Sequence, residues 1–339
     1  MLHMYAAMGE GLAIVSGQDG GWRIEPRLDG KATRCAAVDP LRPERVYCGT
    51  FGEGLWRSRD RGLSWEPVGE GIPYARVMAV AVSRLEHSGG YGVVWAGTEP
   101  SALYRSEDGG QTWDERPTLR DLPSAATWSF PPRPWTHHVR WIEPDPHLAE
   151  RLFVGIELGG VMRSLDAGLT WEDRKAGSQA DVHTLRSHPL APGRVYEAAG
   201  GGYAESLDGG TSWRGRDAGL KHRYLWGLAV DPADPETILV SAARGPQQAH
   251  TPASAESTIY RKARGNRWQE VRAGLPPSKG TVAYQLAANP AEPGVFYAAT
   301  NQGLYRSPDA GLSWEQLELD WPESYRGQRV HALVVVETD

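Results

Sequence analysis

The sequence predicts an all-β fold, a single β-propeller of seven four-stranded antiparallel blades. Three observations predict it. An octapeptide typical of a tight turn occurs five times, a pair of strand-forming segments recurs upstream of it, and the two chain ends carry complementary parts of one more repeat. Self-similarity at a period of tens of residues indicates a repeat architecture, and short strands at regular spacing favour propeller blades.

The octapeptide Ser-x-Asp-x-Gly-x-(Ser/Thr)-Trp occurs at residues 58–65, 106–113, 164–171, 206–213 and 307–314. The Asp side chain is suited to accept bonds from backbone N–H groups of a tight turn, and the Gly supplies a positive φ. The Trp is suited to pack between neighbouring sheets. The motif therefore joins two strands and connects adjacent blades. We predict two degenerate copies, one around Asp19-Gly20 and one that retains Gly265 and Trp268.

The second recurring element is a strand, an Asp-Pro-like turn, about five residues and another strand. It occurs at residues 36–49, 228–240 and 286–299, with looser copies around Asp145-Pro146 and His188-Pro189. Each repeat is therefore four strands with alternating side chains, named A to D, and the octapeptide joins C to D.

Six complete repeats leave fragments at the two chain ends. Leu2 to Pro26 reads as strands B, C and D without a strand A, and Val330 to Val336 reads as a strand A without a partner. Joining them closes the ring and removes exposed sheet edges. The predicted single domain, 1–339, thus has blades at 2–28 plus 329–337, 34–70, 76–116, 136–174, 181–216, 223–272 and 281–318.

Composition restricts the class of protein and its partners. The chain has 339 residues, 40 Gly and 25 Pro, and 23% of its residues are charged, which is typical of a globular protein. The net charge of −6 argues against a nucleic-acid binder. No apolar stretch approaches the length of a membrane span, and no secretory signal is visible, so we expect a cytoplasmic protein without a membrane partner, as a monomer or small oligomer.

Cysteine usage excludes a disulfide framework and a thiolate zinc site, because the chain contains only Cys35 and Cys48. The two residues fall on neighbouring predicted strands of one blade. A disulfide bond is therefore geometrically conceivable, but we expect two reduced, buried thiols.

The octapeptide resembles the Asp-box, or bacterial neuraminidase repeat, of sialidases, two-propeller xyloglucanases, sortilin-type receptors and Ycf48-type photosystem assembly factors. The resemblance covers nearly the whole chain as a repeat pattern. It implies a sialidase-like propeller fold, glycoside hydrolase-like chemistry for some members and a scaffolding role for others. Single seven-bladed propellers of about this size are typical of the Ycf48-type scaffolds, whereas the xyloglucanases use a cleft between two propellers.

The sialidase catalytic motif is missing from the sequence. Sialidases carry a Phe/Tyr-Arg-Ile-Pro segment near the N-terminus, and the nearest string here, Trp22-Arg23-Ile24-Glu25-Pro26, contains an inserted Glu and lies on a predicted outer strand. A classical sialidase is therefore not expected.

Propeller topology separates two faces. The D-to-A and B-to-C connections lie on one face, which includes the long segments 118–134, 245–257 and 320–329 and which we call the loop face. The A-to-B turns and the five octapeptides lie on the opposite face, which we call the turn face. Long loops in a compact fold are commonly functional, so we place the ligand at the loop face. The first segment, rich in aromatics, predicts a lid or wall, and the second, rich in Ala, Ser and Gln, is expected to be mobile.

Polar and aromatic residues recur where strands A begin and strands B end, around the loop-face end of the channel. Carboxylates there could act as acid and base, Arg could hold an anion, and aromatics could stack on a sugar. The catalytic candidates are Glu53, Glu99 and Glu157, and the ligand-binding candidates are Arg34, Arg76, His138, Arg140, His183, Tyr224, Trp226, Arg244, Tyr284 and His331. The alternative is that these groups form rim ion pairs of small energetic value.

A metal is a further hypothesis, because His138, His183 and Glu157 come from adjacent blades and match common ligand sets. The sequence itself requires no cofactor. Two function classes therefore stay open: a funnel that binds and transforms a small polar ligand such as a carbohydrate or an organic anion, and a non-catalytic protein-interaction scaffold.

Overall fold

The computed structural model describes residues 1–18, 21–265 and 267–338, so the predicted degenerate octapeptide at Asp19-Gly20 lies outside the described residues. The strands are β1 (Leu2–Met8), β2 (Leu12–Gln18), β3 (Gly21–Arg27), β4 (Thr33–Asp39), β5 (Arg42–Thr50), β6 (Leu55–Ser58), β7 (Glu66–Pro67), β8 (Arg76–Ser88), β9 (Tyr91–Glu99), β10 (Leu103–Ser106), β11 (Asp114–Glu115), β12 (Val139–Pro144), β13 (Leu152–Ile156), β14 (Gly160–Ser164), β15 (Val182–Ser187), β16 (Val195–Ala199), β17 (Gly202–Ser206), β18 (Arg214–Gly215), β19 (Tyr224–Asp231), β20 (Asp234–Ala243), β21 (Ser257–Lys262), β22 (Gln269–Val271), β23 (Gln285–Ala288), β24 (Phe296–Thr300), β25 (Gly303–Ser307), β26 (Glu315–Gln316) and β27 (Val330–Glu337).

These strands form seven antiparallel sheets, which confirms the predicted all-β, seven-bladed propeller. In chain order the sheets are β27-β1-β2-β3, β4 to β7, β8 to β11, β12 to β14, β15 to β18, β19 to β22 and β23 to β26. The fourth sheet has three strands, and an isolated bridge between Arg163 and Glu172 takes the position of its outer strand.

The first blade joins the two ends of the chain. Strand β27 pairs antiparallel with β1, with Leu2 opposite Glu337 and Ala7 opposite Ala332. Closing the ring in this way gives β1 a partner on both sides, so neither of its edges is left open to another chain.

The octapeptide turns are held by short-range bonds, as the first copy shows. Asp60 Oδ1 accepts the backbone N–H of Ser64 at 2.8 Å, and Ser58 Oγ accepts that of Gly62 at 2.7 Å. Gly62 has a φ of +94°, and the indole of Trp65 donates to its carbonyl at 2.9 Å. A Cβ on Gly62 would lie 2.2 Å from Ile14 of the preceding blade, so the turn also needs glycine for close packing between blades.

The hydrophobic core is a series of interfaces between consecutive blades. Tyr297 and Leu304 of the seventh blade, for example, pack with Met4 and Val15 of the first in one buried cluster. Both faces of the second strand of each blade, strand B, are therefore buried, which explains why these strands have nearly continuous apolar sequences. Cys48 packs in such a cluster, and both Cys35 and Cys48 are free and buried, as expected.

The three long segments of the loop face are packed against the blades. The first contains 3-10 helices at Pro117–Asp121 and Pro123–Thr127 and buries Trp128, so it forms a wall. The second contains helix α1 (Pro246–His250) and a 3-10 turn at Pro252–Ser254. The expectation of a mobile segment there is wrong, because Ala249 is fully buried and its carbonyl accepts the N–H of Ala283 at 2.8 Å.

The third segment contains a 3-10 turn at Glu323–Tyr325. Tyr325 is buried and donates its hydroxyl to Asp29 Oδ1 at 2.8 Å, which fixes the approach to β27. Among the described residues, no helix combines the length and apolar character needed to cross a bilayer.

Candidate ligand site in the central channel

A cavity of about 420 Å³ occupies the central channel. Arg34, Arg140 and His331 line one end of it, and from there it runs along the innermost strands to the prolines of the A-to-B turns. The residues that line it include Ala36, Val38, Val80, Val82, Val334 and Val336. The cavity therefore extends toward the turn face, not the loop face, because the predicted polar side chains themselves fill the channel at its loop-face end.

Four basic residues form what we call the arginine cluster: Arg34, Arg140, Arg329 and His331. Burial, and then the charge of Arg140, lower the pKa of Arg329 to about 10. Burial also lowers the pKa of Arg140 and Arg34, and together with the three guanidinium groups it holds the pKa of His331 well below its usual value. These groups repel one another in a desolvated space.

Trp226 organises the layer beside the arginine cluster. The guanidinium groups of Arg140 and Arg329 each lie 4.5 Å from its ring centroid. The imidazoles of His183 and His250 pack against it at 4.4 and 4.3 Å. Because Trp226 is only 5% exposed, its faces are covered by these side chains and are not available for stacking on a sugar.

Glu157 is a buried carboxylate beside the arginine cluster. Its Oε2 lies 3.0 Å from Nε2 of His138 and 3.7 Å from Nε of Arg140. Burial alone would raise the pKa of Glu157, but His138, His183 and Arg140 outweigh it and hold the pKa well below its usual range. Glu157 is therefore ionised at neutral pH and is not a proton donor in this state.

Glu99 is locked in an ion pair with two arginines. Arg133 approaches both carboxylate oxygens, and Arg76 donates to Oε1 at 2.8 Å. The same arginines and Arg34 surround the ring of Phe51 at 4.6 to 5.1 Å. Burial opposes ionisation, but these pairs lower the pKa of Glu99, so this carboxylate positions side chains and has no free proton to transfer.

Three of the predicted site residues do not reach the channel. Glu53 is exposed and pairs with Lys31 at 2.5 Å, and the side chain of Arg244 is 65% exposed at the rim near Glu256. Tyr284 lies in the core between the sixth and seventh blades, with its N–H donated to Ser241 Oγ. Its side chain faces the neighbouring blade instead of the channel, so the interpretation of Tyr284 as a ligand-binding residue is corrected.

The residues that could bind a metal differ from the predicted set, because Asp181 takes the place of His138. Atoms of Glu157, Asp181 and His183 that could bind a metal all lie within 4.8 Å of one another. His138 contacts Glu157 directly through Nε2, so it supports this carboxylate from behind and is not itself a member of the group. Tyr224 closes the group from the side, because its ring lies 4.9 Å from that of His183 and its hydroxyl lies 3.0 Å from His250 Nε2.

The candidate list omitted residues that the structure brings to the site. Asp181 and Arg329 each precede a predicted site residue, His183 and His331, by two positions, so they point to the same side of a strand. That period-2 spacing is a usable signal. Arg133 had no such signal, because it comes from the long connection before β12 and has no equivalent in other blades.

Comparison with known proteins supports the fold. No family model matches the sequence. An oligoxyloglucan-reducing end-specific xyloglucanase of Emericella nidulans is 24% identical over 156 residues, which is 41% of this chain and 17% of that protein. The chain therefore matches a small part of that curated relative.

Two solved structures resemble nearly the whole propeller. A GH74 enzyme of Niastella koreensis has a TM-score of 0.68 at 15% identity and covers 92% of this chain and 51% of its own. YCF48 bound to D1 peptide has a TM-score of 0.59 at 18% identity, with 84% of this chain and 81% of that chain covered. At these identities the likeness shows the seven-bladed fold and not a shared ligand.

Proposed function

We propose that the protein binds a small organic anion with an apolar portion in the central channel. One observation carries the proposal. Among the described residues, the only ion pair that Arg34, Arg140 and Arg329 make within 4 Å is the 3.7 Å contact of Arg140 with Glu157. Arg34 and Arg329 thus have no carboxylate within 4 Å among the described residues, although both are largely buried, and an anionic ligand would supply the missing charge.

The volume and the lining of the cavity favour an anion with an apolar portion over a neutral carbohydrate. Its volume of about 420 Å³ falls within the range of small-molecule sites. Beyond Arg34, Arg140 and His331 most of its lining residues are alanine, valine and proline, which favour an apolar body over a ring of hydroxyl groups. The lining also contains Arg84 and the ion pair of Arg186 with Glu143. The carboxylate or phosphate would face the arginine cluster, and the apolar portion would extend toward the turn face.

Calorimetric titration of the whole chain tests this proposal. The ligands are straight-chain monocarboxylates of increasing length, the corresponding alcohols, a uronic acid, a neutral sugar and inorganic phosphate. We expect the carboxylates to bind, with affinity rising with chain length, and the alcohols not to bind. Arg34→Met should weaken binding roughly 10- to 100-fold, the loss expected for one charge-assisted hydrogen bond.

Arg244→Met is the matched control, because it removes an exposed arginine at the rim of the same face. It should leave the affinity unchanged. Equal binding of acids and alcohols, or an affinity that Arg34→Met leaves intact, would overturn the proposal, as would the absence of any binding.

Glycoside hydrolysis has weaker support. The matched curated relative is named as a xyloglucanase, but a glycosidase needs a carboxylic acid with a raised pKa to protonate the leaving group. The pKa values of Glu99 and Glu157 are lowered, and Glu53 is remote from the channel. We therefore expect no release of reducing ends from xyloglucan oligosaccharides in a sugar assay.

A protein-interaction scaffold is the second candidate. The observation that favours it is the extent of the YCF48 match, which runs over most of both chains, whereas the GH74 enzyme is covered over only about half of its length. The discriminating measurement is the binding of apolar peptides with a free C-terminal carboxylate against the same peptides amidated. Binding of both forms with equal affinity would favour the scaffold over the anion site.

A further inference from the structure

We propose that Glu157, Asp181 and His183 bind a divalent transition-metal ion, at a site distinct from that of the proposed anion. The three side chains come from two neighbouring blades. Glu157 follows β13, which is strand B of the fourth blade, and Asp181 and His183 lie at the start of β15, which is strand A of the fifth. Their potential ligand atoms lie within 4.8 Å of one another. Ligand atoms bound at ~2.1 Å to one ion are at most ~4.2 Å apart, so small side-chain rotations complete the geometry.

The orientation of His183 is the observation that points to a ligand. Its imidazole is fully buried, and Nδ1 lies 2.5 Å from the carbonyl oxygen of Leu225, to which it must donate its proton. In the neutral ring this leaves the lone pair on Nε2. A backbone carbonyl that fixes the opposite nitrogen is the usual arrangement behind a metal-binding histidine.

Nε2 of His183 has no hydrogen-bond partner among the described residues, although it lies 3.4 Å from Asp181 Oδ1. An ion bound between these two atoms would contact both of them, and it would give a bond to a buried nitrogen that has no hydrogen-bond partner among the described residues.

One carboxylate oxygen of Glu157, Oε1, is available to bind a metal ion. Its contacts with His138 and Arg140 are both made by Oε2, so Oε1 remains without a partner among the described residues. His138 therefore acts as a positioning residue that holds the Glu157 carboxylate. One nitrogen and two carboxylate oxygens suit Zn²⁺ or Mn²⁺ better than Mg²⁺, which prefers oxygen ligands alone.

The nearby arginines do not prevent this assignment. The two carboxylates offset the charge of a divalent ion, and the guanidinium groups of Arg140 and Arg329 lie 4.5 Å from the ring centroid of Trp226. Because the carboxylates are present with or without the ion, metal binding adds two positive charges to the layer, and an anion at the arginine cluster should strengthen it.

Equilibrium dialysis of the untagged full-length chain tests the site. The protein is first stripped with a chelator and then dialysed against Zn²⁺ or Mn²⁺ in a buffer without carboxylates or phosphate, and bound metal is measured by plasma mass spectrometry. We expect one ion per chain. Asp181→Asn should weaken binding at least tenfold, and His87→Asn, which removes an exposed histidine far from the channel, should not.

A second measurement avoids dependence on the folding of a variant. Wild-type chain loaded with Co²⁺ should show the visible absorption of an ion bound by nitrogen and oxygen ligands, and the spectrum of the hydrated ion would overturn the proposal. Equal binding by wild type and Asp181→Asn, or no bound metal, would also overturn it. Anion titrations repeated in chelator report on the proposed function separately, so either proposal can fail alone.

Discussion

Replacing Arg329 by methionine should stabilise the protein when no anion is present. Burial and the charges of neighbouring arginines lower the pKa of Arg329 from 12.5 to about 10. That depression corresponds to a free-energy cost of about 3 kcal/mol for keeping the guanidinium charged in the folded state. Loss of the cation–π contact with Trp226, of about 0.5–2 kcal/mol, opposes the gain, so the expected net stabilisation is about 1–3 kcal/mol.

Urea unfolding at low ionic strength measures this effect, because urea adds no charge and the 14 Trp residues provide a fluorescence signal. The midpoint for Arg329→Met should rise at an unchanged slope. Arg244→Met, at the exposed rim, should remain within about 0.5 kcal/mol of wild type. A saturating anion should reverse the order, because only the wild-type cluster retains its full charge.

A lower midpoint for Arg329→Met in anion-free buffer would refute the reasoning. It would mean that the guanidinium is stabilised by its surroundings and that the arginine cluster has no unmet charge. If Arg329→Met is more stable than wild type but binds the anion equally well, then the guanidinium of Arg329 is destabilising in the folded state but does not contribute to anion binding.

Three further predictions concern the fold and its titration. Glu197→Gln should gain stability over wild type by roughly 3–5 kcal/mol as pH rises from about 4.5 to 8, since burial raises the pKa of Glu197 to about 8, so that over that window the unfolded state releases the proton that the folded state retains; Glu53→Gln is the exposed control, and a pH-independent difference in urea midpoints would contradict it. Gly274→Ala should unfold at a clearly lower temperature than Gly327→Ala, because both have positive φ but only at 274 would the new Cβ meet a backbone oxygen, that of Trp314, at 1.6 Å; equal melting temperatures would contradict this close approach of the two backbone segments. Deleting residues 330–339 should expose the edge of the first blade, and a monomeric elution profile with an unchanged melting curve would speak against ring closure by this strand.

The prediction of the fold from sequence rests on interactions that are local in the chain. In each octapeptide the Ser and Asp side chains bond to groups two to four residues away, so the residues and the contacts are read from the same short string. The blade count follows from the number of repeats, and ring closure follows from the two incomplete repeats at the chain ends, which together make one blade. Closure needed no knowledge of side-chain packing.

The candidate site was only partly predictable. The prediction used the starts of strands A and the ends of strands B. Six of the predicted residues form the layer around Trp226 or line the adjoining cavity: Arg34, Arg140, His183, Tyr224, Trp226 and His331. The partners of Glu99 could not be predicted, because Arg133 comes from an irregular connection. The interpretation of Tyr284 failed because a shift of one residue along a strand turns the side chain from the channel into the core.

The sequence by itself therefore determined the repeat and the number of blades, because both are properties of short segments. Only the tertiary structure decided which charges meet. Arg34, Arg140 and Arg329 belong to three different blades, and their mutual repulsion exists only when the closed ring brings those blades around one channel. Packing of the fourth blade against the fifth likewise buries His183 with Nε2 toward Asp181, and this orientation of the imidazole could not be read from spacing in the chain.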